Sequence, residues 1–145
     1  MKLKRIDHIG IVVKDLAAAK DFFLALGMEV MGEREMEGAL VDGVIGLKGA
    51  RSSMVMMETP EGDANIELIQ FHAPEADEDG SPRAELNVPG IRHLALLVED
   101  LEGMVAKLKE KGGELIGELV NYEGAYKLCC LRGPEGIILE LAEEL

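Results

Sequence analysis

Residues 6–33 and 91–118 are one segment written twice, and each copy carries a histidine at the same place on an apolar strand. A shift of 85 sets IDHIGIVVKDL (6–16) on IRHLALLVEDL (91–101) and LGMEVMGE (26–33) on KGGELIGE (111–118) without a gap. Nine of the 28 aligned pairs are identical, among them His8/His93, Asp15/Asp100, Gly27/Gly112 and Gly32/Gly117. The copies also close alike: NIELIQF (65–71) and ILELAEE (138–144) each put a glutamate, Glu67 or Glu140, inside an apolar strand. A chain built this way folds as two similar modules, and the duplication supplies two His and two Glu.

Each copy opens on a strand whose two faces both read apolar. Ile9, Ile11 and Val13 oppose His8, Gly10 and Val12, and Leu94, Leu96 and Val98 oppose His93, Ala95 and Leu97. That pattern predicts a strand buried on both sides. Asp15 and Asp100 then stand where a helix N-cap belongs, and Gly27 and Gly112–Gly113 supply the left-handed turn that ends a helix. Phe22, Phe23 and Leu26 give the first helix its apolar face, and Leu101, Val105 and Leu108 the second. Strands are expected at 28–35, 52–58 and 64–71, and again at 114–120, 125–132 and 137–142. The expected fold is α+β, two βαβββ modules curled around a groove with the helices outside. Residues 1–71 form the first module, 72–90 an exposed linker and 91–145 the second.

The copies differ in length at one place. Glu33 and Glu67 lie 34 residues apart but Glu118 and Glu140 only 22, so the first unit carries 12 more, placed around EGALVDGVIGLKGA (37–50). Its glycines and short apolar patches suggest a loop or a one-turn helix over an opening, or an inert surface excursion.

Composition excludes several classes of partner. A formal charge of −13 opposes nucleic acid and anionic membrane surfaces, which demand clustered Lys and Arg. No apolar run approaches the roughly 20 residues that span a bilayer, and the start, MKLKRIDHIG, lacks the apolar stretch of a signal peptide. Cys129 and Cys130 are adjacent, so on a strand they face opposite ways and do not pair. A cytoplasmic location is expected. Both cysteines read as packing residues, and His72 as a solvated residue opening the linker.

The four polar strand residues carry the chemistry. Alternation puts His8, His93, Glu67 and Glu140 each on the face opposite its bulky neighbours, so all four share the face turned away from the helices. Two neutral imidazoles and two carboxylates converging out of water are costly without a cation, and a divalent metal removes that conflict.

With these residues in place the chain resembles the vicinal oxygen chelate superfamily, which contains glyoxalase I, methylmalonyl-CoA epimerase, extradiol dioxygenases and the fosfomycin and bleomycin resistance proteins. The likeness is carried by IDHIGIVVKDL with LGMEV, by IELIQF and IRHLALLVEDL, and by RGPEGIILELAEE (132–144), which cover nearly the whole chain. In metal-dependent members the first strand of each module gives a His or Gln and the last a Glu or Gln. The resemblance therefore implies His8, Glu67, His93 and Glu140 as ligands of one divalent ion, Ni, Co, Mn, Zn or Fe. This His-Glu-His-Glu set looks most like bacterial-type glyoxalase I; the epimerase places Gln at the position of Glu67. It also implies a homodimer, with ligands supplied by one chain or by two.

Departures from those relatives narrow the substrate. Val12 stands where bacterial-type glyoxalase I has a glutathione-holding arginine, and Phe71 where an assisting asparagine would fall. Ahead of the last strand the epimerase has a His-Pro-Lys stretch, and this chain has CCLRGPEG (129–136). A smaller, mostly apolar substrate is expected, in a pocket lined by Val12, Met54 or Met56, Phe71, Leu97 and Tyr126. Dioxygen chemistry prefers two His and one carboxylate, so a second carboxylate argues against an extradiol dioxygenase. Lewis-acid assistance to proton transfer next to a carbonyl fits better, with Glu67 or Glu140 as base. The expected protein is a metal-dependent isomerase or lyase. The alternatives are a bleomycin-resistance-type protein that sequesters a drug or metabolite, and an epimerase-like or dioxygenase-like enzyme.

Overall fold

The computed structural model describes residues 4–62, 64–76, 85–89 and 91–145. The chain divides into two compact units, Met1–Glu78 and Asp79–Leu145. Much of the span read as a linker, residues 77–84 and 90, lies outside the described residues.

In the first unit β1 (His8–Val12) leads into α1 (Leu16–Leu26), followed by β2 (Glu29–Glu37), α2 (Ala39–Ile45), β3 (Arg51–Glu58) and β4 (Asn65–Ala73). The second runs β5 (His93–Leu97), α3 (Leu101–Glu110), β6 (Glu114–Tyr122), β7 (Tyr126–Arg132), a 3-10 turn at Pro134–Gly136 and β8 (Ile138–Glu144). Each unit forms a four-stranded mixed sheet, in the order β1-β4-β3-β2 or β5-β8-β7-β6. The first and last strands of each unit pair in parallel and the others antiparallel. The α+β architecture of two βαβββ modules is therefore observed. The longer first unit uses its extra residues for α2, a seven-residue helix with Leu40 and Val44 almost fully exposed.

Both long helices begin as the sequence predicts. Asp15 accepts from the Ala18 amide at 3.0 Å and Asp100 from the Gly103 amide at 2.9 Å, satisfying amides that no helical carbonyl reaches. A second tether recurs in both units. Gln70 on β4 accepts from the Leu16 amide at 3.1 Å, and Glu143 on β8 from the Leu101 amide at 2.9 Å. Helix α1 stops at Gly27, whose φ of 109° only glycine adopts without strain.

The core of each unit lies between its helix and one face of its sheet. Phe22, Phe23 and Leu26 pack with Val55, Met57, Ile66 and Leu68; Leu101, Val105 and Leu108 pack with Cys129, Leu131, Leu139 and Leu141. Full burial of such a side chain contributes about 1.5–3 kcal/mol, so these residues fix which face of each sheet turns inward. The other face does not match the expectation of a strand buried on both sides. Val12 is 63% exposed and Leu97 64%, and His8, Gly10, His93 and Ala95 are exposed with them. The helix covers one face only, so the apolar pattern of the second face is not a demand of the core. Among the described residues, no helix is long and apolar enough to cross a membrane.

Candidate metal centre

Strand register places the polar residues. Gly10 pairs with Glu67 on the parallel β1–β4 ladder while His8 pairs with Asn65, so His8 and Glu67 are diagonal neighbours on one face. Ala95 pairs with Glu140 and His93 with Ile138, which repeats the arrangement in the second unit. The result is two half-sites of like construction. His8 Nε2 lies 3.3 Å from Glu67 Oε2, and His93 Nε2 lies 3.7 Å from Glu140 Oε2. A glycine or an alanine beside each glutamate keeps that row open; a Cβ on Gly10 would stand 3.9 Å from Glu67 Oε2.

The donor chemistry of each half-site fits a divalent cation. A neutral imidazole nitrogen and a carboxylate oxygen bound to one ion at roughly 2.0–2.2 Å fall about 3–3.5 Å apart, close to the spacings found here. Each unit brings two of the four expected ligands together. Among the described residues, no three His, Cys, Asp or Glu side chains form a cluster able to hold an ion.

The expected pocket residues lie on the same faces as the candidate ligands of their own units. Met56 shares the strand-to-strand row of Glu67 and Gly10, Met54 the next row with Ile69 and Val12, and Phe71 the row beyond. In the second unit Leu97 shares a row with Ala142 and Leu128, while Tyr126 sits opposite Glu144 and donates its hydroxyl to Oε1 at 3.5 Å. Tyr126 thus stands one row beyond that of Leu97 and Ala142, on the side away from His93. The methionines are half-buried and Val12 and Leu97 exposed.

One reading of a lone residue changes. His72 does not open a linker: it belongs to β4, because the strand runs to Ala73, and its Nε2 lies 2.6 Å from Ser53 Oγ, which donates to Glu35 at 2.9 Å. Of the two cysteines, Cys129 packs in the core as expected, and Cys130, half-buried, lies on the opposite face as the alternation predicts, directly paired with Glu140. Burial pushes both thiols up, helped for Cys130 by the charge of Glu140.

Asp7 is a neighbour of the candidate site that strand-face reasoning passes over. Its Oδ2 lies 3.0 Å from His8 Nδ1, while Arg5 donates to Oδ1 at 3.2 Å. The bond to His8, and after it the bond to Arg5, holds the Asp7 carboxyl below the usual carboxylate range. The signal was the carboxylate preceding the first histidine in IDHIG, absent from the second copy, where IRHLA has Arg92.

Comparison with known proteins gives one family across the chain. The profile of the Glyoxalase/Bleomycin resistance protein/Dioxygenase superfamily matches residues 5–141. A glyoxalase family protein of Bacillus cereus, 41% identical, superposes with a TM-score of 0.95 over 100% of this chain and 97% of its own. The uncharacterized protein YwkD of Bacillus subtilis is 33% identical over 99% of this chain and 100% of its own. The trypanothione-dependent glyoxalase I of Leishmania major shares the fold at 21% identity, with a TM-score of 0.63 over 98% of this chain and 88% of that one.

Proposed function

Because the chain belongs to the glyoxalase/bleomycin resistance protein/dioxygenase superfamily, we propose that it is a metalloenzyme that moves a proton next to a carbonyl in a small, mostly apolar substrate. His8, Glu67, His93 and Glu140 hold one divalent ion, with the ligands drawn from one chain or from two copies. The observation that carries this reading is the paired construction of the half-sites, each setting a histidine Nε2 against a glutamate Oε2. The ion, when bound, supplies Lewis-acid polarisation of the carbonyl oxygen.

The remaining work falls to the chain's own side chains. Glu67 or Glu140 takes the proton from the carbon beside the carbonyl and returns it, which requires a carboxylate within about 2.6–3.2 Å of that proton's carbon or of one intervening water. Val12 and Leu97, exposed on the same faces, bind the apolar body of the substrate and exclude water. Val12 and Phe71 offer no charge-assisted contact to a glutathione carboxylate, so glutathione hemithioacetal is a poor substrate.

The test is hydrogen exchange into a panel of small carbonyl compounds in deuterated water, with nickel or cobalt supplied and followed by NMR. The reading predicts exchange at the carbon beside the carbonyl in wild type and its loss in Glu140→Gln or Glu67→Gln. The superfamily's resistance proteins suggest a second reading, favoured by the exposed Val12 and Leu97: sequestration of an apolar ligand. Tight binding of such a ligand with no exchange, unaltered by Glu140→Gln, would establish that reading instead.

A further inference from the structure

The two half-sites are not equivalent, and the difference lies behind the histidine. His8 stands between two carboxylates, with Asp7 Oδ2 3.0 Å from Nδ1 and Glu67 Oε2 3.3 Å from Nε2. An ionised carboxylate only accepts, so the Nδ1 contact places a proton on Nδ1. In the neutral ring that leaves the Nε2 lone pair turned towards Glu67. Arg5 in turn donates to the second oxygen of Asp7 at 3.2 Å, which holds the carboxylate in place. At the corresponding position of the second copy Arg92 has donors only. Among the described residues, His93 makes one ion-pair contact, with Glu140 at 3.7 Å.

We propose that Asp7 is a positioning residue of the metal centre: by accepting from Nδ1–H it fixes the tautomer and ring orientation in which His8 presents Nε2 to the ion. The inference rests on the metal reading above. It makes the first half-site the preorganised one, and it gives a residue outside the four-ligand set a share in metal affinity. Carboxylate partners of ligating histidines are typically worth 10–100-fold in affinity. The Asp7 side chain is 66% exposed, where water competes for the same bond, so the lower end applies.

Cobalt affinity, measured by competition with a chromophoric chelator, tests this on wild type, Asp7→Ala, Asp7→Asn and His8→Ala. Asp7→Ala should bind about tenfold more weakly. Asp7→Asn, which loses the charge but keeps an accepting oxygen, should stay within about threefold of wild type. In the zinc-loaded protein the His8 Nδ1 proton should be visible by NMR in wild type and Asp7→Asn, and lost to water exchange in Asp7→Ala. An Asp7→Ala protein that binds cobalt like wild type, while His8→Ala does not, removes the role of Asp7 and leaves the metal reading standing. Equal weakening by the Asn and Ala variants also overturns the proposal, since it would show a field effect of the charge alone. Wild-type affinity in His8→Ala sinks the metal reading and this inference with it.

Discussion

A histidine or glutamate on an apolar strand says little by itself, and what made His8, His93, Glu67 and Glu140 legible was their recurrence. The duplication gave each residue a twin, and strand alternation gave the twins a face; the structure then pairs His8 with Glu67 and His93 with Glu140. Asp7 was not legible by the same route, because it has no twin: Arg92 replaces it. His72 was misread because strand ends are set by register, and the ladder to β3 carries β4 two residues past the expected end. Surface ion pairs follow ordinary electrostatics. Lys127 on β7 holds Glu102 in the first turn of α3 at 2.9 Å, which lowers the Glu102 carboxyl and raises the Lys127 ammonium. A lowered acid stabilises above its unfolded titration range and loses that effect as pH falls through its folded one. A raised base stabilises below its unfolded range and loses the effect as pH rises through its folded one. Glu102→Gln should therefore be slightly less stable than wild type at neutral pH, and the two should converge in acid below the carboxylate range and again in strong base. Urea midpoints across pH would show a constant difference if the pair contributed nothing.

At the scale of elements, the order of strands and long helices was readable with ends within two residues, since Asp15 and Asp100 cap and the glycines stop as their chemistry demands. Two features were not. The amide tethers from Gln70 and Glu143 depend on strand-to-helix proximity, although the shared spacing of three residues after Glu67 and Glu140 marked them in retrospect. The outer strands were expected to be covered on both faces, and periodicity cannot separate an apolar face that packs from one that binds. The distinction has a measurable consequence. Leu141 is fully buried under α3, so Leu141→Ala should cost about 2–5 kcal/mol. Leu97, 64% exposed on the opposite face of the neighbouring strand, should cost about 0.5 kcal/mol or less when changed to Ala. Denaturant midpoints check both; equal costs would mean that the second face is packed after all.

At the scale of the molecule, the sequence sufficed to place the chain in its superfamily, because the duplicated unit fixes the fold. It did not fix the substrate, which depends on which apolar side chains stand around the proposed metal centre. Each sheet has two edge strands, and Leu40 and Val44 on α2 are almost fully exposed, features that pairing with a second copy would cover. We therefore expect a homodimer, and sedimentation at micromolar concentration should give twice the mass of 15.7 kDa; a monomer would contradict it. Both the chemistry and the dimer are secondary to whether the duplicated His and Glu make one metal centre. Elemental analysis of protein purified without chelating resin, on wild type, His93→Ala and His72→Ala, tests that most directly. One divalent ion per chain is expected in wild type and in His72→Ala, with a sharp loss in His93→Ala; equal metal content in wild type and His93→Ala would rule out a shared His-Glu-His-Glu centre.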